Sequence, residues 1–418
     1  MTHVKSTIEE SVLVAIDIAK ARNHVLIDPP GGSPRKRFKM ANAARDFRDF
    51  AVYLKGFALP VRVGFEATGN YHRPLAHFLL TQGFEVRLIS SVALARTREA
   101  MHNSWDKNDP KDAQVILHLL KVGLTQIYHD PLFRGINDAQ ELSKTYHQVS
   151  LEKTRVQHRL LTHYLPFYFP EAQTYHHSAR SEWLFRLLLA FPIPTSIPRL
   201  GEEAFIAQAG DVVGRKVNKA RILADFYRTA LESIGLPVAE DSQAVAMFRL
   251  VLGEYLTLCQ LRGQIEQTAC DFFKEDADYF RLTQVPGIAL TILAEAGDLR
   301  RFSHHRQFLK FCGLDLSTRQ SGRFRGATKL SKYGNARLRS AFWMAASAAV
   351  RLRENSFRAK FDRYIRHNPQ DPDLKRKAYC AVAAKVARVV HGLIKNGTDY
   401  RPYHEEAIPS GGVRSGGP

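Results

Sequence analysis

Over the first 130 residues the apolar positions fall in short β-branched runs separated by turn residues, and beyond them in helical repeats. "SVLVAIDIA" (11–19) predicts a strand, and "HVLIDPPGGSPRKRFKM" (24–40) two strands about a Pro/Gly turn. "ANAARDFRDFAVYLKGF" (41–57) has the spacing of an amphipathic helix. "VRVGFEATG" (61–69) predicts a strand, "YHRPLAHFLLTQG" (71–83) a helix ending at Gly83, and "FEVRLIS" (84–90) another strand. A further helix starts at Asp109-Pro110, an N-cap followed by proline at the first helical position.

That order, β-β-β-α-β-α-β-α, is the order of a ribonuclease H-like fold, a mixed sheet with helices on both faces. Residues 141–165 predict a helix. From Ala244 to Phe272 apolar residues fall at 244, 248, 251, 255, 258, 265, 269 and 272, the 4-3 spacing of a coiled-coil seam interrupted by Arg262. A long arm or dimerisation element and a buried bundle helix both answer to that spacing. Residues 170–240 read as helical with Pro-rich joints. "LTQVPGIALTILAEAGDLRRF" (282–302) sets a Pro-Gly-Ile turn before a short apolar helix and resembles a helix-hairpin-helix, a weak signal alone. Helical patterns return over 338–352 and 373–394.

The fold class expected is therefore α/β plus mainly α. The divisions are 1–130 (ribonuclease H-like), 131–280 (helical arm with coiled coil), 281–405 (mainly helical) and a disordered tail, 406–418.

Charge changes this picture. The chain of 418 residues carries a formal net charge of +19, which makes polyanions its leading partners. Residues 281–418 hold 26 Lys and Arg against 10 Asp and Glu, so nearly all of the excess lies there. Arg319 to Arg339 ("RQSGRFRGATKLSKYGNARLR") contains Arg319, Arg323, Arg325, Lys329, Lys332, Arg337 and Arg339 and no acid. Such a run, with Gly and Ser letting the backbone approach phosphates, reads as a nucleic-acid surface. No run approaches the ~20 apolar residues of a membrane span and the N-terminus lacks a secretion signal's apolar core, so no membrane partner and a cytoplasmic location are expected. The four cysteines are scattered without zinc-ligand spacing and are expected to be reduced.

Against this basic background, "DKNDPKDAQ" (106–114) packs three carboxylates into seven residues. Asp17 ends the first strand, Glu66 the fourth, and Asp109 and Asp112 open a helix. Each acid alone has a structural explanation as a cap or first-turn residue. In a ribonuclease H-like sheet the first and fourth strands are neighbours and the last helix crosses their ends, so all four converge. Clustered hard oxygen donors call for divalent cations, Mg²⁺ above all, and a two-ion site suits phosphodiester chemistry. Asp106 lies one turn too early to join them.

These segments resemble a known family. "AIDIAK", "FEATG" and "KNDPKDA" are similar to the DEDD motifs of insertion-sequence transposases with a Holliday-junction-resolvase-like N-terminal domain, the bridge-RNA-guided recombinases. "VPGIALTILAEAGDLRRFSHHRQFLKFCGLDLSTRQSGRFRGATKLSKYGNARLR" is similar to their C-terminal transposase domain. The resemblance implies that Asp17, Glu66, Asp109 and Asp112 bind Mg²⁺ and that a C-terminal serine, matching Ser321 in "RQSG", attacks the DNA phosphate covalently. The acid-free basic run suits that role. Ser331 and Ser317 are the fallback nucleophiles, Ser331 reading rather as a brace. Arg323 stands where many relatives have a second Gly, and Asn108 replaces a frequent Thr.

The resemblance further implies donor and target DNA and a noncoding bridge RNA as partners, a dimer or tetramer of this chain, and work at the bacterial nucleoid. A metal-dependent junction nuclease without a serine link is the rival enzyme. A noncatalytic nucleic-acid-binding protein is the rival of another class.

Overall fold

The computed structural model describes residues 10–400 apart from 68, 103–108, 133–134, 177–181, 215–218, 285–288, 319, 322–323 and 353–354. Of residues 102, 109, 110, 321, 324 and 325 the described part is the backbone. Asp106, Arg319, Arg323, the Pro-Gly-Ile turn and the tail 406–418 thus lie outside the described residues. The chain divides into two units, Met1–Asn137 and Asp138–Pro418.

The first unit is built on β1 (Val12–Asp17), β2 (Arg22–Asp28), β3 (Lys36–Ala41), β4 (Val61–Glu66), β5 (Glu85–Ile89) and a short β6 (Gln126–Ile127). Their order in the sheet is β3-β2-β1-β4-β5-β6. β1 pairs antiparallel with β2 and parallel with β4, and β4 parallel with β5, so the sheet is mixed. The helices are α1 (Ala44–Lys55), α2 (His72–Thr81), α3 (Ser91–His102) and α4 (Asp109–Lys121). α3 was not anticipated. "SVALARTREAMH" lacks a strong apolar stripe, and Leu94 is its main anchor in the core.

Because strand side chains alternate, the sheet has two different faces. Val12, Val14, Ile16, Val63 and Phe65 pack on one face against Phe50 and Leu54 of α1 and Leu75 and Leu79 of α2. Leu13, Ala15, Leu26 and Ile89 pack on the other against Ala113, Ile116, Leu117 and Leu120 of α4. Gly64 on β4 lets α4 come close: a Cβ there would stand 2.7 Å from a Leu120 methyl.

The second unit opens with α5 (Asn137–Arg159), which passes through a π-helical turn, Leu160–Tyr164, into α6 (Leu165–Tyr168). There follow α7 (Glu182–Ala190), α8 (Glu202–Val213), α9 (Lys219–Leu231) and the 30-residue α10 (Gln243–Phe272). Phe248, Val251, Leu252 and Tyr255 of α10 enter a core with Leu184, Phe185 and Leu188 of α7. Farther along, α10 runs antiparallel to α5. Arg159 pairs with Glu254, the Tyr146 hydroxyl donates to Glu266 at 2.9 Å, and Ala139 packs with Phe273 just past the end of α10.

The 4-3 seam is thus met, over much of its length, by helices of the same chain, while Phe272 is exposed. On length and composition alone α10 would cross a bilayer, contrary to the expectation that no run is long enough. Core helices pass the same test, and Val245 to Tyr255 supply core positions here.

After α11 (Ala277–Thr283), α12 (Ala289–Ala296) and α13 (His305–Phe311) come four two-residue strands: β7 (Leu316–Ser317), β8 (Gln320–Ser321), β9 (Phe324–Arg325) and β10 (Lys329–Leu330). α14 (Ala336–Arg351), α15 (Ser356–Ile365) and α16 (Pro372–Asn396) complete a helical core in which Phe308, Leu338, Phe342, Ala346, Val382 and Val390 are buried.

Candidate active site

Register places the first two acids. Ile16 pairs with Phe65 across parallel strands, so Asp17 and Glu66, next along each, stand side by side at the strands' C-terminal ends, roughly 5 Å apart between strand axes. Both belong to the face that carries Leu13 and Ala15, the α4 face. The register then extends the row across the hairpin, because Asp17 pairs with His24 and His24 with Lys39. One face of the sheet therefore reads Glu66, Asp17, His24, Lys39 from β4 to β3.

The direction of α4 follows from its far end. Lys121 Nζ meets Asp28 Oδ2 at 2.5 Å, and Asp28 pairs with Leu13 at the start of β1. Burial alone would push the Asp28 carboxyl up, but bonds from Lys121 and Arg35 outweigh it and hold the group below its usual range. α4 therefore runs antiparallel to β1. From Lys121 back to Asp112 the helix rises about 13 Å, and β1 advances about 13 Å from Leu13 to Asp17. The first turn of α4 thus reaches the level of Asp17 and Glu66. Positions 109 and 112 continue the stripe 113, 116, 117, 120 that faces the sheet.

Asp112 is buried, 2% exposed, and takes a hydrogen bond from Arg98 Nε of α3 at 2.5 Å. Among the described residues no group of three or more His, Cys, Asp or Glu stands at metal-holding distance. Asp17 and Glu66 fit Mg²⁺ as hard, adjacent oxygen donors. Asp112 is engaged by Arg98, and of Asp109 only the backbone is described.

The turn after Asp17 is held by two asparagines. Asn23, fully buried, accepts from the Ala19 N–H at 3.1 Å and donates to Asn42 Oδ1 at 2.6 Å. Asn42 Nδ2 donates in turn to the carbonyls of Ala19 and Lys20. This bracket fixes the Asp17–His24 register. Neither His24 nor Arg98 was among the residues expected at the site. Hairpin pairing about residues 18–21 would have found His24, whereas nothing in the sequence pairs Arg98 with Asp112.

In the second unit, β7 pairs with β10 and β8 with β9 in one hairpin from Leu316 to Leu330. Lys329 pairs with Ser317, and Ser321 with Phe324, so one extra residue on the returning strand makes a bulge between the two ladders. The Thr318 and Thr328 hydroxyls meet at 2.9 Å across it. The backbone of Ser321 thereby pairs with that of Phe324 at the tip of the hairpin. Leu316, Ser317, Thr318, Gln320, Thr328 and Lys329 of its arms are exposed.

The root of this hairpin is tightly braced. The Ser331 hydroxyl donates to Asp315, and the Ser331 N–H to the Asp315 carbonyl at 2.9 Å. Lys332 takes a left-handed conformation (φ 57°), and its carbonyl accepts from Arg339 at 3.2 Å. Arg337 pairs with Glu295 at 2.5 Å and donates to Ser143 at 3.2 Å. Of the four cations of the basic run whose side chains are described, Arg337 and Arg339 are therefore bonded within the fold, while Lys329 and Lys332 are exposed.

Two families of transposases match separate stretches of the chain. Residues 14–170 match the DEDD transposase family of the IS110 type, and residues 280–362 match the family described as "Transposase IS116/IS110/IS902 family". The chain carries IS110-type transposase domains. A curated relative, "Probable family 20 transposase" of Pseudomonas aeruginosa, is 31% identical over 160 residues, which span 37% of this chain and 47% of that protein. The chain thus matches about half the length of that relative. The first transposase match takes in Asp17, Glu66, Asp109 and Asp112, and the second takes in Ser321 and the whole basic run.

Proposed function

We propose that this IS110-type transposase cuts and exchanges strands of donor and target DNA, with Asp17, Glu66, Asp109 and Asp112 as the acidic site and Ser321 as the nucleophile. The reading rests above all on the juxtaposition of Asp17 and Glu66 at strand ends, on the face that α4 brings its first turn to. When bound there, Mg²⁺ would supply charge neutralisation of the phosphate and of the departing oxygen. The carboxylates would hold that charge in place. The Ser321 hydroxyl attacks phosphorus, and its P–O bond forms as the bond to the leaving deoxyribose oxygen breaks. The serine proton passes by way of a site carboxylate to the departing deoxyribose oxygen, which leaves as a hydroxyl. Attack by the hydroxyl of a second strand then releases the serine and joins the new pair.

In the same reading a noncoding bridge RNA selects donor and target by base pairing, a dimer or tetramer of the chain does the work, and Ser321 comes from the same chain or a second copy. The place of action is the bacterial nucleoid.

The deciding experiment incubates the full chain with element-end DNA, its flanking RNA and Mg²⁺, and looks for a covalent protein–DNA adduct. The expected result is an adduct that Ser321→Ala and Asp17→Asn each abolish. Cleavage that persists in Ser321→Ala but not in Asp17→Asn gives the reaction to a junction nuclease that uses water. No Mg²⁺-dependent cleavage by any form, with binding intact, makes the protein a noncatalytic nucleic-acid binder.

A further inference from the structure

α4 covers the middle of its sheet face but leaves the β3 edge open. On that face, Arg37 lies across β2 from Leu26 and Lys39 across from His24, while Arg22 precedes His24 by one alternation. Arg22, Arg37 and Lys39 are all exposed, and among the described residues no ion pair engages them. Arg35, one alternation before Arg37, is bonded to Asp28 at 2.8 Å. The cations on β3 thus recur with the strand period, every ~6.7 Å. They end in the row that runs through His24 to Asp17 and Glu66, with Lys39 about 10 Å from Asp17 across two strand spacings.

Charged residues also guard free sheet edges against pairing with other chains. A guard has no need to share a face with a carboxylate pair. Here the opposite face of β3 carries Phe38 and Met40 into the core and Lys36 over the Tyr53 ring, so Arg37 and Lys39, the exposed cations of that strand without such a partner among the described residues, fall on the side of the acids.

We propose that the open face of β2 and β3, through Arg22, Arg37 and Lys39, seats the phosphate backbone of the DNA strand on which Asp17 and Glu66 act, with His24 positioning the phosphate next to the acids. Charge complementarity carries the assignment: a polyanion crosses this face most favourably over the cations, and the row leads it to the carboxylates. The inference rests on the proposed nuclease chemistry of the acidic pair, yet its test reads binding and not cleavage.

The test measures anisotropy of a labelled element-end DNA strand with the full chain over a series of salt concentrations, beside Mn²⁺ titration calorimetry. Arg37→Ala with Lys39→Ala is compared with Arg45→Ala, which removes an exposed cation from α1 on the other side of the sheet. The double variant should weaken DNA binding about tenfold and lower the salt slope by about one to one and a half, with Mn²⁺ affinity unchanged. Arg45→Ala should match the parent protein. Equal affinity and slope in the double variant and Arg45→Ala would overturn the seat, and so would a loss confined to RNA binding. Failure of the nuclease reading shows itself separately, as cleavage that survives Asp17→Asn. For His24, substitution by Asn should leave affinity within about twofold and slow cleavage at saturating DNA, whereas a purely structural residue would shift thermal stability instead.

Discussion

Asn23 and Asn42 matter because buried amides leave a cost when one partner goes. Asn23→Ala strands Asn42 and the Ala19 N–H, and thermal unfolding should report a loss of about 1–3 kcal/mol. Arg98 carries a larger stake. Arg98→Met leaves the buried Asp112 carboxylate uncompensated and should cost about 3 kcal/mol without divalent ions. If Asp112 belongs to the ion site, added Mg²⁺ should raise the melting temperature of Arg98→Met by more than it raises that of the parent. An equal rise would remove Asp112 from the site.

His72 gives the pH dependence. It is buried against Phe65 and Tyr128, and its Nδ1 has no hydrogen-bond partner. Burial, aided by the neighbouring Arg73 cation, pushes its pKa below the ordinary 6.5. On acidification the unfolded chain takes up this proton first. The ring's contribution is therefore intact above about 6.5 and is lost as pH falls from there to the depressed folded value. Melting curves at pH 8 down to 5.5 should show the decline, and His72→Phe should flatten it.

Secondary elements were legible where their pattern was strong. All five long strands, α1, α2 and the last long helices stand within a few residues of their expected places. β1 and β4 are neighbours, as the ribonuclease H-like order implies. The hairpin 316–330 was hidden because its strands are two residues long, too short to show an apolar alternation. The pairing of α5 with α10 was equally out of reach, since a 4-3 seam records that a partner exists and not which one. The hairpin's root makes its own prediction. Gly334 has φ 144°, and a Cβ there would stand 2.5 Å from the Gly313 nitrogen and the Phe311 oxygen. Gly334→Ala should lower stability by about 3 kcal/mol, seen as a reduced denaturation midpoint, while Ser331→Ala, which loses one hydrogen bond, should cost about 1 kcal/mol.

Across the whole chain, two units with separate cores and a strong positive charge set the gross behaviour. Binding to DNA should weaken about a thousandfold or more between 50 and 200 mM salt if six or more phosphates are neutralised. A flat response in a salt titration would discount the cationic surfaces of both units together. Composition made the charge of the C-terminal part plain. It concealed that of "SPRKRF", since Arg35 to Lys39 are offset in the total by acids elsewhere in the first 130 residues. Only strand pairing shows that alternate members of that cluster share a side with Asp17.

The short connection between Asp17 and Arg22 sets more than a chain reversal. Strand side chains alternate, so one inserted residue there would invert the parity of everything downstream in β2. Val25 and Ile27 would trade sides with His24 and Leu26. Its length works as a caliper, gauging at once the oily layer beneath the sheet and the polar line above it.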